Sequence, residues 1–163
     1  MILVTGATGL VGAHLVLALL QKGEKVRATY RTLSTIQKTE KLFHLLNHSH
    51  LFENIEWIEA EITDIPALEK AFTGIEYVYH CAAVISFDDS DAEIMYKINT
   101  EGTANVVNLC LYYGIKKLCY VSSIAALGHH KKESEFINEE TEWNPELVDD
   151  DYSLTKYGAE IEV

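Results

Sequence analysis

The sequence predicts a doubly wound α/β fold on a parallel sheet, and three observations carry that prediction. Short β-type apolar runs alternate with helical patterns along the chain, and a glycine-rich turn joins the first strand to the first helix. Runs such as Tyr77-Val78-Tyr79 also lack the strict alternation of a half-exposed strand. Strands alternating with helices imply right-handed crossovers and a sheet covered on both faces.

Ile2 to Thr5 is a continuous apolar run that stops at Gly6, and the Leu10, Val11, Leu15, Val16, Leu19 and Leu20 that follow are read as one helical face. Lys25 to Tyr30 reads as the second strand, Ile36 to Leu46 as the second helix and Ile55 to Ala60 as the third strand. Asp64 followed by Pro66 opens a short helix that Gly74 ends. Ile75 to Cys81 is a fourth strand, and Asp91 to Tyr113 is expected as one long helix closed by Gly114, with Asp88, Asp89 and Asp91 favouring the dipole at its start. Lys117 to Ser122 makes a fifth strand, residues 124–149 a loop, and Tyr152 to Val163 a helix with no stop signal at its end. One domain over residues 1–163 is expected, interrupted inside that last helix.

With 48% hydrophobic and 23% charged residues, the composition excludes a disordered tail or a coiled coil. The net charge of −12 is local, because residues 133–163 hold 11 acids against a single base, Lys156. Phosphate-backbone binding needs a basic face, so nucleic acid is not expected as a partner, nor is an anionic membrane surface. The run Leu15 to Leu20 is too short to span a membrane and no basic region precedes it. Cys81, Cys110 and Cys119 are odd in number and lie in apolar or strand-like runs, which suits buried free thiols and a cytoplasmic location.

The turn Thr5-Gly6-Ala7-Thr8-Gly9-Leu10-Val11-Gly12 sits where backbone amides and a helix dipole can hold a pyrophosphate. Gly6 allows the turn, Gly9 lets phosphate approach the backbone, and Gly12 lets helix pack closely on strand. Farther along, Tyr152 and Lys156 are one helical turn apart. A cation at that spacing favours the phenolate, which a tyrosine needs for acid or base work near neutrality.

These segments resemble the extended short-chain dehydrogenase/reductase family, the NAD-dependent epimerase/dehydratase group. The glycines follow Gly-x-x-Gly-x-x-Gly, and Tyr79-His80-Cys81-Ala82-Ala83 resembles the family's His-x-Ala-Ala stretch. Asn99-Thr100-Glu101-Gly102-Thr103-Ala104-Asn105 is similar to its Asn-x-x-Gly-Thr-x-Asn helix, Tyr120-Val121-Ser122-Ser123 to its serine strand, and Tyr152-Ser153-Leu154-Thr155-Lys156 to its Tyr-x-x-x-Lys helix. The resemblance implies a Rossmann fold with five strands present and the substrate-binding region missing. It places Gly6, Thr8, Gly9, Leu10, Val11, Gly12, Cys81, Ala82, Ala83, Tyr152 and Lys156 at a dinucleotide, with Glu61 and Ile62 at the adenine, although family members commonly have aspartate where Glu61 stands. Ser123 would polarise the substrate oxygen, with Ser122 as the other candidate, and Asn99 is either structural or the holder of a relay water. Lys156 would also bind the nicotinamide ribose.

An NAD enzyme needs an acid about 20 residues past the first glycine, whereas NADP needs a cation for the 2′-phosphate. The second strand reads Val26-Arg27-Ala28-Thr29-Tyr30-Arg31 and ends in a base, with Arg27 inside the strand and Lys38 on the following helix. NADP is therefore expected in preference to NAD. The expected activity is an NADP-dependent oxidoreductase acting on a carbonyl or secondary alcohol, similar to the dihydroflavonol-reductase and hydroxysteroid-dehydrogenase branch. A nucleotide-sugar epimerase or dehydratase holding NAD is the alternative, disfavoured by Arg31; a non-catalytic dinucleotide-binding relative is a third, disfavoured by Tyr152. The resemblance implies a small-molecule substrate and leaves room for a homodimer. No metal site is expected: His44, His48 and His50 lack a completing carboxylate or thiolate, and His129-His130-Lys131-Lys132 and Asp149-Asp150-Asp151 read as solvated loop charges.

Overall fold

The computed structural model describes residues 1–128, 136–148 and 150–163. Two compact units are present, one of Met1–Ala82 with Asn105–Val121, the other of Ala83–Ala104 with Ser122–Val163.

The first unit holds the whole sheet. Strands β1 (Ile2–Thr5), β2 (Val26–Tyr30), β3 (Ile55–Glu59), β4 (Tyr77–His80) and β5 (Lys117–Tyr120) lie in the order β3-β2-β1-β4-β5, every pair parallel. Ile2 stands opposite both Val26 and Tyr77, so the strands start level and their carboxyl ends share one edge. Strand order reverses at β1, and the crevice between the carboxyl ends of β1 and β4 is where such sheets bind ligands. All four residues of β1 are buried, as the central position requires.

Helix α1 (Leu10–Gln21) buries Gly12, Ala13, Val16, Leu17, Leu19 and Leu20. Leu10 and Val11 are instead 78% and 52% exposed, which corrects the expected face. At about 100° per residue these two point away from the arc centred on Val16 and Leu20, and Ala13 and Leu17 take their places. Helix α2 (Leu33–Leu45) buries Thr39 and Phe43, and Asn47 at φ 61° follows its end. The short helix α3 (Ser49–Phe52) has no periodic signal and was not expected; it brings Phe52 edge-on to Phe43 at 5.7 Å. Helix α4 (Ile65–Phe72) starts where Asp64 Oδ1 accepts the Ala67 amide at 3.1 Å.

The expected helix from Asp91 to Tyr113 is continuous from Ala92 to Tyr112 but not regular α-helix throughout. A 3-10 turn (Asp89–Asp91) leads into α5 (Ala92–Met95), a π-helical segment (Tyr96–Glu101) and α6 (Gly102–Tyr112). The π segment coincides with buried polar groups: Asn99 is turned inward and its carbonyl accepts the Thr103 hydroxyl at 2.5 Å. The second unit also contains 3-10 turns at Ile124–Leu127 and Pro145–Leu147, inside the stretch expected as plain loop, and helix α7 (Asp151–Glu162).

Three further expectations need correction. Cys110 is buried and Cys81 half-buried, but Cys119 is exposed, on the same face of β5 as the exposed Lys117. Asp150 is not a solvated loop charge: it caps α7, accepting the Ser153 amide at 2.7 Å and the Ser153 hydroxyl at 2.6 Å. His44 and His48 are not one helical turn apart, since α2 ends at Leu45; His48 Nε2 lies 2.8 Å from Gln21 Nε2. His129, His130, Lys131, Lys132 and Asp149 lie outside the described residues. Among the described residues no His, Cys, Asp and Glu group could hold a metal ion, and no helix is long and apolar enough to cross a membrane.

Candidate functional site

In the first unit the glycine turn is built by close backbone approach. Gly6 has φ 67°, and a Cβ there would lie 2.6 Å from the Ala82 amide nitrogen and 2.7 Å from the Cys81 carbonyl carbon. Only glycine tolerates both the angle and the contact. A Cβ on Gly12 would lie 2.3 Å from the Gly6 carbonyl oxygen, so this residue lets the first turn of α1 rest on the loop. Gly9 is different: its only such neighbour is the Gly6 oxygen at 3.3 Å, and it is exposed. Gly9 occupies the N-cap of α1 and has no side chain to satisfy the first-turn amides. The N–H groups of Leu10 and Val11 therefore stand as donors at the positive end of the helix dipole. A pyrophosphate fits that chemistry.

Residues to which the sequence motifs give no separate role hold the loop in place. The Thr5 hydroxyl lies 2.6 Å from His80 Nδ1 and accepts the Ala82 amide at 3.4 Å, tying the ends of β1 and β4 together. His80 is fully buried and stacks on Tyr120 at 5.5 Å. The Thr39 hydroxyl of α2 donates to the Ala7 carbonyl at 3.1 Å. Buried threonines at a strand end and on a helix interior were the available signals, since each needs a local partner once desolvated. Thr8 and Ala82 are half-buried beside this loop, and the Cys81 thiol is pushed up to about 11 by burial, with Cys119 adding to the shift.

Beyond β2, the tip cation and the residue expected at the adenine meet: Arg31 Nη1 lies 3.9 Å from Glu61 Oε1. Arg27 is accounted for within the fold, donating to Glu56 at 2.8 Å and to the Ala71 and Thr73 carbonyls at 2.8 and 2.7 Å. Arg31 is thus the strand's outward cation, while Lys38 is exposed on α2. Ile62 is buried and its carbonyl accepts the Asn105 side-chain amide at 3.1 Å.

The second unit brings Asn99, Ser123, Tyr152 and Lys156 into one compact body. Lys156 is 1% exposed, and burial pushes its ammonium down to about 8 against the opposing pull of the Glu160 carboxylate. Tyr152, one turn earlier on α7, is half-buried. Asn99 is engaged on three sides: Oδ1 accepts the Val84 amide at 2.8 Å, and Nδ2 donates to the Val84 carbonyl at 2.8 Å and to Thr155 Oγ1 at 3.1 Å. The two serines differ. Ser122 donates its hydroxyl proton to Glu160, whereas Ser123 Oγ accepts the Ala125 amide at 3.2 Å, a bond that leaves its own proton to donate elsewhere. Ala83 is exposed in this unit. Trp143 and Tyr157 stack in parallel at 4.0 Å, with Gly128 against the indole.

The fold and sequence agree with known proteins. The chain is 32% identical over 99% of its length to the sterol demethylase protein B of Methylococcus capsulatus, covering 45% of that protein. It is 33% identical over 98% to a putative dihydroflavonol 4-reductase of Synechocystis, covering 43%, and 30% identical over 99% to cinnamoyl-CoA reductase 1 of rice, covering 47%. The chain thus spans less than half the length of these relatives. Among solved structures, gox2253 superposes with a TM-score of 0.82 at 33% identity, over 99% of this chain and 46% of that one. An NAD-bound short-chain dehydrogenase/reductase superfamily protein from Agrobacterium tumefaciens gives 0.77 at 27%, over 99% and 43%. Since the family model matches continuously from residue 2 to residue 163, through both the glycine turn and the Tyr152–Lys156 helix, the chain belongs to the NAD dependent epimerase/dehydratase family.

Proposed function

We propose that the chain carries the dinucleotide-binding and proton-transfer residues of an NADP(H)-dependent reductase acting on the carbonyl group of a small molecule. The observation that carries this reading is Lys156, held 1% exposed one helical turn from Tyr152. A buried ammonium there stabilises negative charge that develops on the tyrosine oxygen as the phenol gives up its proton. Relatives named as reductases, and Arg31 in place of an acid at the end of β2, support reduction with NADP(H) over sugar epimerisation with NAD.

In this reading Gly9 and the Leu10 and Val11 amides hold the pyrophosphate, Arg31 the 2′-phosphate, and Ile62 and Glu61 border the adenine. The bound dinucleotide supplies hydride. Ser123 donates a hydrogen bond to the substrate carbonyl oxygen, polarising it. Tyr152 gives its phenolic proton to that oxygen as it gains charge. The positive charge of Lys156 stabilises the anion that Tyr152 becomes as its proton leaves.

The test is NADPH oxidation with a panel of ketones and aldehydes by the full chain and by Tyr152→Phe. Removing a positioned general acid should cost roughly 10²- to 10⁴-fold in kcat while the NADPH Kd stays within about twofold. A phenylalanine variant that turns over like the wild type removes Tyr152 from the reaction.

A further inference from the structure

We propose that Thr155 is a positioning residue that fixes Tyr152 and Lys156 by pinning α7 to the π-helical segment; this deepens the reading above and rests on it. Thr155 lies three residues after Tyr152 and directly before Lys156, and it is buried. Its hydroxyl is used in both directions, accepting from Asn99 Nδ2 at 3.1 Å and donating to the Tyr152 carbonyl at 2.9 Å. Its main-chain carbonyl accepts the Thr100 hydroxyl at 3.1 Å. One turn farther on, a Cβ on Gly158 would lie 3.2 Å from Thr100 Oγ1, so the missing side chain is what allows this approach.

The partners are themselves fixed. Asn99 is held by both backbone groups of Val84, and its carbonyl by Thr103, so the amide that reaches Thr155 has little freedom to turn. Asn99 and Thr100 are consecutive residues of the π segment and both reach Thr155, one through its side chain and the other through its main chain. Two consecutive residues of one segment thus converge on one residue of α7. The threonine hydroxyl bonded to a preceding carbonyl also ties together its own turn, the one that carries Tyr152 and Lys156. Removing the hydroxyl leaves the Asn99 N–H buried without this acceptor and releases that tie to the Tyr152 carbonyl. Proton transfer is sensitive to displacements of about 1 Å, so the effect should fall on the chemical step.

The experiment compares the full chain with Thr155→Val, Thr155→Ala, Thr155→Ser and Tyr152→Phe, using steady-state NADPH oxidation, thermal melts and amide hydrogen exchange over residues 152–158. The expected result is a kcat lowered about tenfold or more in the valine variant with substrate KM within about twofold, faster exchange in that turn, and near-complete restoration by serine. Alanine removes the same hydroxyl without placing a methyl group in a buried polar site, and should behave as valine does should valine prevent folding. Wild-type kcat and exchange in the valine and alanine variants, or a serine variant as damaged as valine, overturns the proposal. The outcomes separate the two readings: an active Tyr152→Phe rejects the proposed function, whereas an inactive Tyr152→Phe beside an undamaged Thr155→Val rejects only the role of Thr155.

Discussion

Arg31 and Glu61, thirty positions apart in sequence, meet at 3.9 Å beyond the carboxyl ends of β2 and β3. Tyr30 is paired with Glu59 in the parallel ladder, and the next link is the Ala60 amide donating to the Tyr30 carbonyl at 3.0 Å, so the residues just past it are neighbours. Their side chains are 60% and 44% exposed, and such a pair contributes about 0–1 kcal/mol. A doubly charged 2′-phosphate is therefore a better partner for Arg31 than Glu61 is. Arg31→Ala should narrow the NADPH over NADH preference by about 1.5–3 kcal/mol. Glu61→Gln should widen it a few-fold by removing the competing charge, as fluorescence titration with both nucleotides would show.

The glycines of the turn should separate by mechanism. Gly12→Ala places a methyl group 2.3 Å from a backbone oxygen and is expected to destabilise the fold by about 1–3 kcal/mol or more. Gly9→Ala meets only an oxygen at 3.3 Å, so its stability should stay near wild type while NADPH affinity falls. Urea denaturation alongside nucleotide titration distinguishes the two.

Lys156 predicts a pH signature in stability. Its folded value of about 8 lies below the ordinary lysine value of 10.5, so above pH 8 the unfolded chain binds more protons and stability rises with pH. Cys81 and Cys110, each pushed up to about 11 by burial from an ordinary 9, work in the opposite sense above pH 9. A rise confined mainly to pH 8–9 is expected in chemical denaturation, and Lys156→Met should abolish it.

Asp150 should be a stabilising cap. Asp150→Ala removes the acceptor for the Ser153 amide and hydroxyl and is expected to cost about 1 kcal/mol, read as a lower urea midpoint.

Much of this architecture was legible in the sequence because its signals are local. The apolar run Ile2–Thr5, the three glycines and Asp64 before Pro66 each determine a strand, a turn or a helix start through their nearest neighbours. What was not legible depends on partners distant in sequence. The π segment coincides with Asn99 reaching Val84 and Thr155, fifteen and fifty-six positions away, and hydrophobic periodicity carries no trace of it. The exposure of Cys119 depends on which face of β5 is covered, and the engagement of Ser122 depends on Glu160, thirty-eight positions later. Thr155 stood inside the Tyr-x-x-x-Lys spacing as an unspecified residue, and only its contacts distinguish it.

An NADP(H) site built from the glycine turn and Arg31 is read out by side-by-side titration of the full chain with NADPH and NADH. Both nucleotides should bind saturably, with NADPH tighter by about tenfold or more from one charge-assisted phosphate contact. Superimposable curves for the two nucleotides, or tighter binding of NADH, would contradict it.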